Sequence, residues 1–168
     1  MTHAVLKAKL GNEKPDTGID NAARKEIAEH LSGILTDTYF LTIKSHVYHW
    51  NVVGPMFHSI HVLTEEHYGD LFQAADVIAE RIRALGFHAP VVDAAGPDNA
   101  VVSLNTAAKS AHDMVSDLIK DHEAAIRKMR DAAEIAEKHE DFVSHDMLVA
   151  RLSFHEKAVW MLRSLITE

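Results

Sequence analysis

Residues 86–105, GFHAPVVDAAGPDNAVVSLN, interrupt a chain that otherwise carries helical patterning almost from end to end. The stretch holds Gly86, Pro90, Gly96 and Pro97 and shows no three/four apolar spacing, so it reads as a connection. On its N-terminal side lie two amphipathic segments. The first is predicted to start at Asp20, a suitable N-cap, with Ile27, Leu31, Ile34, Leu35, Leu41 and Ile43 facing inward. It must end by VVGP (52–55), because the residue before a proline is pushed out of helical geometry. The second runs from about Pro55–Phe57 to Leu85 along Ile60, Leu63, Leu71, Ala75, Ile78, Ile82 and Leu85, and Gly86 is placed to cap it.

Two further helices follow the connection. One is predicted from about Thr106, carrying Met114, Leu118, Ala125, Met129 and Ala136 inward. The other spans Phe142 to Ile166, with Leu148, Leu152, His155, Val159, Leu162 and Ile166 on its inner stripe. Helices one and two are joined by a few residues and so lie antiparallel, as do three and four. The twenty-residue connection is long for a compact domain, yet extended it reaches roughly 66 Å, enough to run the length of a bundle. The expected fold is therefore all-α: a four-helix bundle, up-down-down-up, with one long crossover, which is ferritin-like connectivity. A short helical turn near Pro97–Ser103 is weakly signalled. Residues 1–19, with Gly11, Pro15 and Gly18 and little apolar patterning, read as a flexible tail, and residues 20–168 as one domain.

Composition narrows the chemistry. The 168 residues include 13 histidines and no cysteine, which leaves only nitrogen and oxygen ligands for any metal. No apolar run resembles a signal peptide or a membrane span, so a cytoplasmic protein is expected. The formal net charge of −8 disfavours a surface that grips phosphates.

Four histidines crowd around the Gly-Pro break: His46 and His49 before it, His58 and His61 after it. On the second helix His61 and Glu65 share a face, as do Asp76 and Glu80. The two pairs point in similar directions but lie about 16 Å apart along the axis, so one ion cannot touch both within a straight helix. The usual di-iron bundle solves this inside one chain with Glu-x-x-His motifs, and no Glu or Asp here has a His three residues on. Two copies of the second helix packed antiparallel about a two-fold axis would solve it, bringing His61 and Glu65 of one chain to Asp76 and Glu80 of the other. His49 can turn toward His61 across the break. A mixture of imidazoles and carboxylates suits Fe(II) or Mn(II), with zinc a usual competitor. The alternative is a solvated surface in which Asp76 and Glu80 pair with Arg81 and Arg83.

At these residues, in HWNVVGPMFHSIHVLTEE, DVIAERIRALG and more loosely HEKAVWMLRSL, the sequence resembles the Dps family of mini-ferritins, the DNA-binding proteins from starved cells. The resemblance covers about residues 20–168. It implies a hollow dodecamer with ferroxidase sites between two-fold-related subunits, oxidising Fe(II), preferentially with hydrogen peroxide, and storing the ferric product. By position it puts the ligands at His49, His61, Asp76 and Glu80. The remaining carboxylate position, often aspartate in the family, is Glu65. Trp50 falls where a tryptophan lies near the ferroxidase site, and it intercepts oxidising equivalents or simply packs at the helix end. Asp141 and Asp146 fall in a stretch resembling the family's acidic three-fold pore; the other reading is negative charge at a helix N-terminus. His46, His58 and His67 are open as further metal contacts or polar rim residues, and His139 and His145 as transient metal contacts or ordinary surface residues. Tyr48 has the same two readings as Trp50, with packing favoured, while His122 and His155 read as structural.

DNA binding is a separate matter. Lys7, Lys9 and Lys14 of the tail are offset by Glu13 and Asp16, and the chain ends RSLITE. Twelve such chains make an anionic shell, so DNA binding is expected to be weak or absent at physiological salt. A nucleoid-protecting DNA-binding shell with incidental metal binding is the alternative function.

Overall fold

The computed structural model of the chain describes residues 11, 13–92, 100–104 and 108–167. Four helices account for most of them: α1 (Asn21–Asn51), α2 (Phe57–Ala84), α3 (Ala111–Lys138) and α4 (Phe142–Ile166). At 31, 28, 28 and 25 residues they run about 38–46 Å each. No strand occurs among the described residues.

Cross-helix bonds give the directions. Asp37, Lys44 and Tyr48 of α1 meet Lys128, Asp121 and Asp117 of α3, so α3 recedes as α1 advances. Arg24 at the start of α1 meets Leu85 at the end of α2, and His49 near the end of α1 meets His61 near the start of α2. Arg81 of α2 meets Asp141 at the head of α4, and Asp70 meets Arg151. Thus α1 is antiparallel to α2 and α3, and α4 is antiparallel to α2. The order is up-down-down-up, with the crossover joining the two parallel helices.

Each end has a local cause. Asp20 accepts from the backbone N–H groups of Ala22 and Ala23 at 2.8 and 3.0 Å. At the end of α2 the N–H of Gly86 reaches Arg83 O and that of Phe87 reaches Ile82 O, a left-handed close that needs the positive φ of +96° found at Gly86. A side chain there would also strike the carbonyl of Glu13. The segment from Glu13 is accordingly not free: its N–H bonds the Gly86 carbonyl at 3.0 Å, and the Glu13 carboxylate meets Arg83. The rest of the expected tail, residues 1–10 and Asn12, lies outside the described residues.

Three expectations change. The third helix begins at Ala111, because the Ser110 side chain accepts from Asp113 N and caps it there; Thr106 lies outside the described residues. The described part of the suggested turn, residues 100–103, is not helical. Ile43 is exposed, since two residues past buried Leu41 is more than halfway round the helix.

Polar residues set how the apolar stripes meet. Buried Lys44 pairs with Asp117 at 2.9 Å and with Asp121, and the Tyr48 hydroxyl donates to Asp117 at 2.6 Å. Burial, with Asp117 beside it, pushes the Tyr48 phenol well above its ordinary range. Asp37, also buried, accepts from the N–H groups of Val101 and Val102 at 2.7 and 2.9 Å and from Lys128. It pins the crossover to α1 and α3. Replacing Asp37 by Ala strands two backbone donors, one of them buried. It is expected to cost about 2–4 kcal/mol, read by denaturant unfolding, with faster proteolysis within the crossover.

Candidate metal centre

The break between α1 and α2 brings two histidines face to face. Val52 is extended, Gly54 takes φ +95°, and Phe57 N–H closes on Gly54 O at 3.0 Å, so the chain reverses within a few residues. His49 in the last turn of α1 then stacks on His61 in the first turns of α2, ring centres 3.7 Å apart and planes 16° from parallel. Nδ1 of His49 lies 2.8 Å from the His61 carbonyl, and Nδ1 of His61 lies 2.9 Å from the His49 carbonyl. A carbonyl only accepts, so each Nδ1 carries the proton and donates it. In the neutral imidazole this tautomer leaves the lone pair on Nε2, the arrangement needed to bind a metal.

The carboxylates stand apart from this pair. Glu65, Asp76 and Glu80 are exposed on α2, and no ion pair or side-chain hydrogen bond among the described residues engages any of them. Asp76 and Glu80 are exposed as a solvated surface would have them, but the expected pairing with Arg81 and Arg83 is not formed, because both arginines are committed elsewhere. Arg81 bonds Asp141 and Ser144, while Arg83 bonds Phe87 O and Glu13. Among the described residues no three His, Asp or Glu side chains of the one chain gather on a common point. Around the carboxylates the same outward side of α2 exposes Val62, Phe72 and Val77, with open space around Gly69.

Trp50 is 62% exposed and so is not a core aromatic. Its ring contacts His46 at 4.0 Å rather than the His49–His61 pair. His46 in turn stacks on Tyr68 at 4.3 Å, and Tyr68 meets His49 edge-on at 5.4 Å. Tyr68 was not singled out from sequence; its signal was the i, i+7 spacing from His61. His58 is exposed in an apolar groove with Trp160.

Asp141 takes the helix-capping role. It is 1% exposed and accepts from Ser144 N at 3.0 Å, from the Ser144 hydroxyl at 2.6 Å and from Arg81 at 2.6 Å. Burial alone would raise its carboxyl, but Arg81 and Ser144 outweigh it and hold it below the ordinary range. With both oxygens committed it is no pore-lining group. Asp146 is exposed. His139 pairs with Glu26 at 2.9 Å.

His122 and His155 are fully buried, with their Nδ1 atoms 2.8 Å apart. His67, also buried, sets its ring edge-on to His122. Burial pushes His67 down to about 4, His122 down to about 3, and His155 well below its ordinary value.

The fold has close counterparts. The ferritin-like domain model matches residues 28–168. An uncharacterized low temperature-induced protein of Nostoc sp. is 38% identical over 156 residues, covering 89% of this chain and 84% of that protein. The DNA protection during starvation protein of Brevibacillus brevis is 33% identical over 140 residues, covering 83% and 94%. The crystal structure of Dps from Staphylococcus aureus superposes with a TM-score of 0.81 at 30% identity, covering 86% of this chain and 97% of that one. A ferritin-like bundle with stacked histidines at the first turn, matched along most of its length by such relatives, belongs to the Dps family of mini-ferritins.

Proposed function

We propose that the protein is a ferroxidase and iron store, which assembles as a hollow dodecamer and oxidises Fe(II) at sites shared by two-fold-related subunits. The observation that carries this reading is the reciprocal His49–His61 pair, with both Nε2 lone pairs free, about 20–30 Å along α2 from the unpartnered carboxylates Asp76 and Glu80. An antiparallel α2–α2 contact that sets His61 opposite Glu80 also sets Glu65 opposite Asp76. The same register puts Phe72 over Gly69 of the mate, a bulky exposed ring against a bare backbone. One register thus serves ligands and packing together.

In this site His49, His61 and Glu65 of one chain and Asp76 and Glu80 of the other hold Fe(II) as substrate. The nitrogen–carboxylate mixture also admits zinc or manganese as competitors. Hydrogen peroxide takes one electron from each of two Fe(II) ions, and its O–O bond breaks to two hydroxides. No one-electron cleavage then releases a hydroxyl radical. Exposed Trp50, linked through His46 and Tyr68 to His49, is placed to take up a stray oxidising equivalent. Asp146 is a surface carboxylate available for attracting Fe(II). The ferric product is sequestered within the shell.

The names of several relatives refer to DNA protection, which removal of Fe(II) and peroxide supplies without contact to DNA. Mixing the purified protein anaerobically with Fe(II), then adding peroxide, is expected to consume about two Fe(II) per peroxide far faster than buffer does, leaving soluble ferric product. Oxidation no faster than buffer, alongside a DNA gel shift that persists at physiological salt, would favour the DNA-binding shell instead.

A further inference from the structure

Residues 13–19 are pinned across the far end of α2. The Glu13 N–H bonds Gly86 O at 3.0 Å, and buried Arg24 bonds Ile19 O at 3.2 Å and Leu85 O at 2.7 Å. Gly86 leaves no room for a side chain beneath the Glu13 carbonyl. These contacts fix where the Glu13 carboxylate stands. It lies 3.2 Å from Arg83, yet its side chain is 71% exposed. An exposed ion pair of this kind adds little to the stability of one chain. Its use lies in what the pair faces.

Arg83 belongs to the outward stripe of α2 that carries Glu65, Asp76 and Glu80. Positions 58, 61, 65, 69, 72, 76, 80 and 83 follow one another at intervals of three, four, four, three, four, four and three, the same from either end. A stripe with that symmetry meets itself position for position when two copies pack antiparallel about a two-fold axis. The pairing that sets His61 opposite Glu80 and Glu65 opposite Asp76 therefore continues outward to His58 opposite Arg83. A guanidinium offers only donors and repels a protonated imidazole. The Glu13 carboxylate beside it supplies the acceptor, and it accepts from an imidazole N–H in either protonation state. His58 is exposed, and no ion pair or hydrogen bond among the described residues engages it.

We propose that Glu13 is an interface residue: in the two-fold pair its carboxylate joins Arg83 of its own chain to His58 of the partner subunit. Residues 13–19 are then part of the seam between subunits. The proposal rests on the two-fold pairing that shares the oxidation site. The pair of chains makes the contact twice, once at each end of the seam, one turn outside each His61–Glu80 pair. Each contact caps a shared site on the side away from the two-fold axis.

The chain has no cysteine, so thiol cross-linking reports the contact directly. Within one chain positions 13 and 58 stand at opposite ends of α2, about 38 Å apart, beyond any short linker. The assembled Glu13→Cys/His58→Cys protein, treated with a short bis-maleimide, is expected to give covalent dimers and nothing larger, because a two-fold contact closes on itself. Glu65→Cys/Asp76→Cys, at the middle of the seam, reports the two-fold pairing itself. Dimers there with a 13/58 yield no higher than that of the single-cysteine variants overturn the Glu13 contact and leave the shared site standing. Absence of dimers from both removes the pairing and the contact together, and a ladder of trimers from 13/58 assigns the contact to another interface and overturns it. A second measurement does not depend on cysteines. Glu13→Lys sets cationic groups together at each end of the seam, so the assembly should dissociate at a concentration at least about 3-fold higher than wild type. Equal dissociation of the two proteins also overturns the proposal.

Discussion

Fe(II) oxidation by the His61→Ala protein is expected to run at least about 100-fold slower than wild type, with the bundle and its assembly intact. The substitution is selective because of how the pair is anchored. His49 donates to the carbonyl of residue 61, which alanine keeps, so the partner imidazole holds its place while one Nε2 donor is lost. Asp76→Ala should cause a similar loss from about 22 Å away along the same helix. Asp76 is exposed and unpaired in the single chain, so its removal should change monomer stability by no more than about 0.5 kcal/mol. Peroxide-driven Fe(II) oxidation, followed optically beside sedimentation of the same samples, checks both variants. Unchanged rates in both would remove the assignment.

The second large effect is on stability in acid. His122 and His155 are held neutral by burial in the folded chain, His122 down to about 3 and His155 well below its ordinary value, whereas the unfolded chain takes up protons near pH 6.5. Above that pH both states are neutral and the pair has no effect on the pH dependence. As pH falls below about 6.5 the unfolded state binds protons that the folded state cannot. Folding stability then drops by up to about 2.7 kcal/mol per pH unit for the two histidines, down to the range where the folded pair titrates. Asp121, raised by burial against the pull of Lys44, acts in the opposite sense but is a single group. Asp141, held low by Arg81 and Ser144, loses its contribution only below the ordinary carboxylate range. Denaturant midpoints of metal-free protein should fall steeply between about pH 6 and pH 4, and a His122→Leu/His155→Leu pair should flatten that fall. A wild-type profile flat across this window would contradict the burial of the pair in solution.

Much of this was legible in the sequence because it was local. Asp20, the Gly-Pro break and Gly86 mark helix ends through chemistry within a few residues, and the length of 86–105 carried the topology. Helical spacing made the His61–Glu65 and Asp76–Glu80 pairs readable and showed that they could not meet in one chain, but it left the surface reading open; the proposed set with His49 came from the resemblance. What stayed hidden depends on partners far away in sequence. Asp37 pins residues 64 and 65 positions on, and Lys44 finds its anion 77 positions on. Asp141 read as either pore or cap until Arg81, 60 residues earlier, was seen to fill it. His67, His122 and His155 come from three helices, and no spacing rule joins them.

Mixing His61→Ala and Asp76→Ala chains, unfolding them together and reassembling them tests the shared site most directly. In a shared site each parent assembly is inactive, because every site lacks one ligand. A mixed pair of chains has one site missing both ligands and one site complete. With equal mixing half the pairs are mixed, so about a quarter of all sites regain a full set. About a quarter of wild-type oxidation in the mixed assembly, against none in either parent, is the expected result. A mixed assembly as inactive as its parents would contradict a site built across two chains.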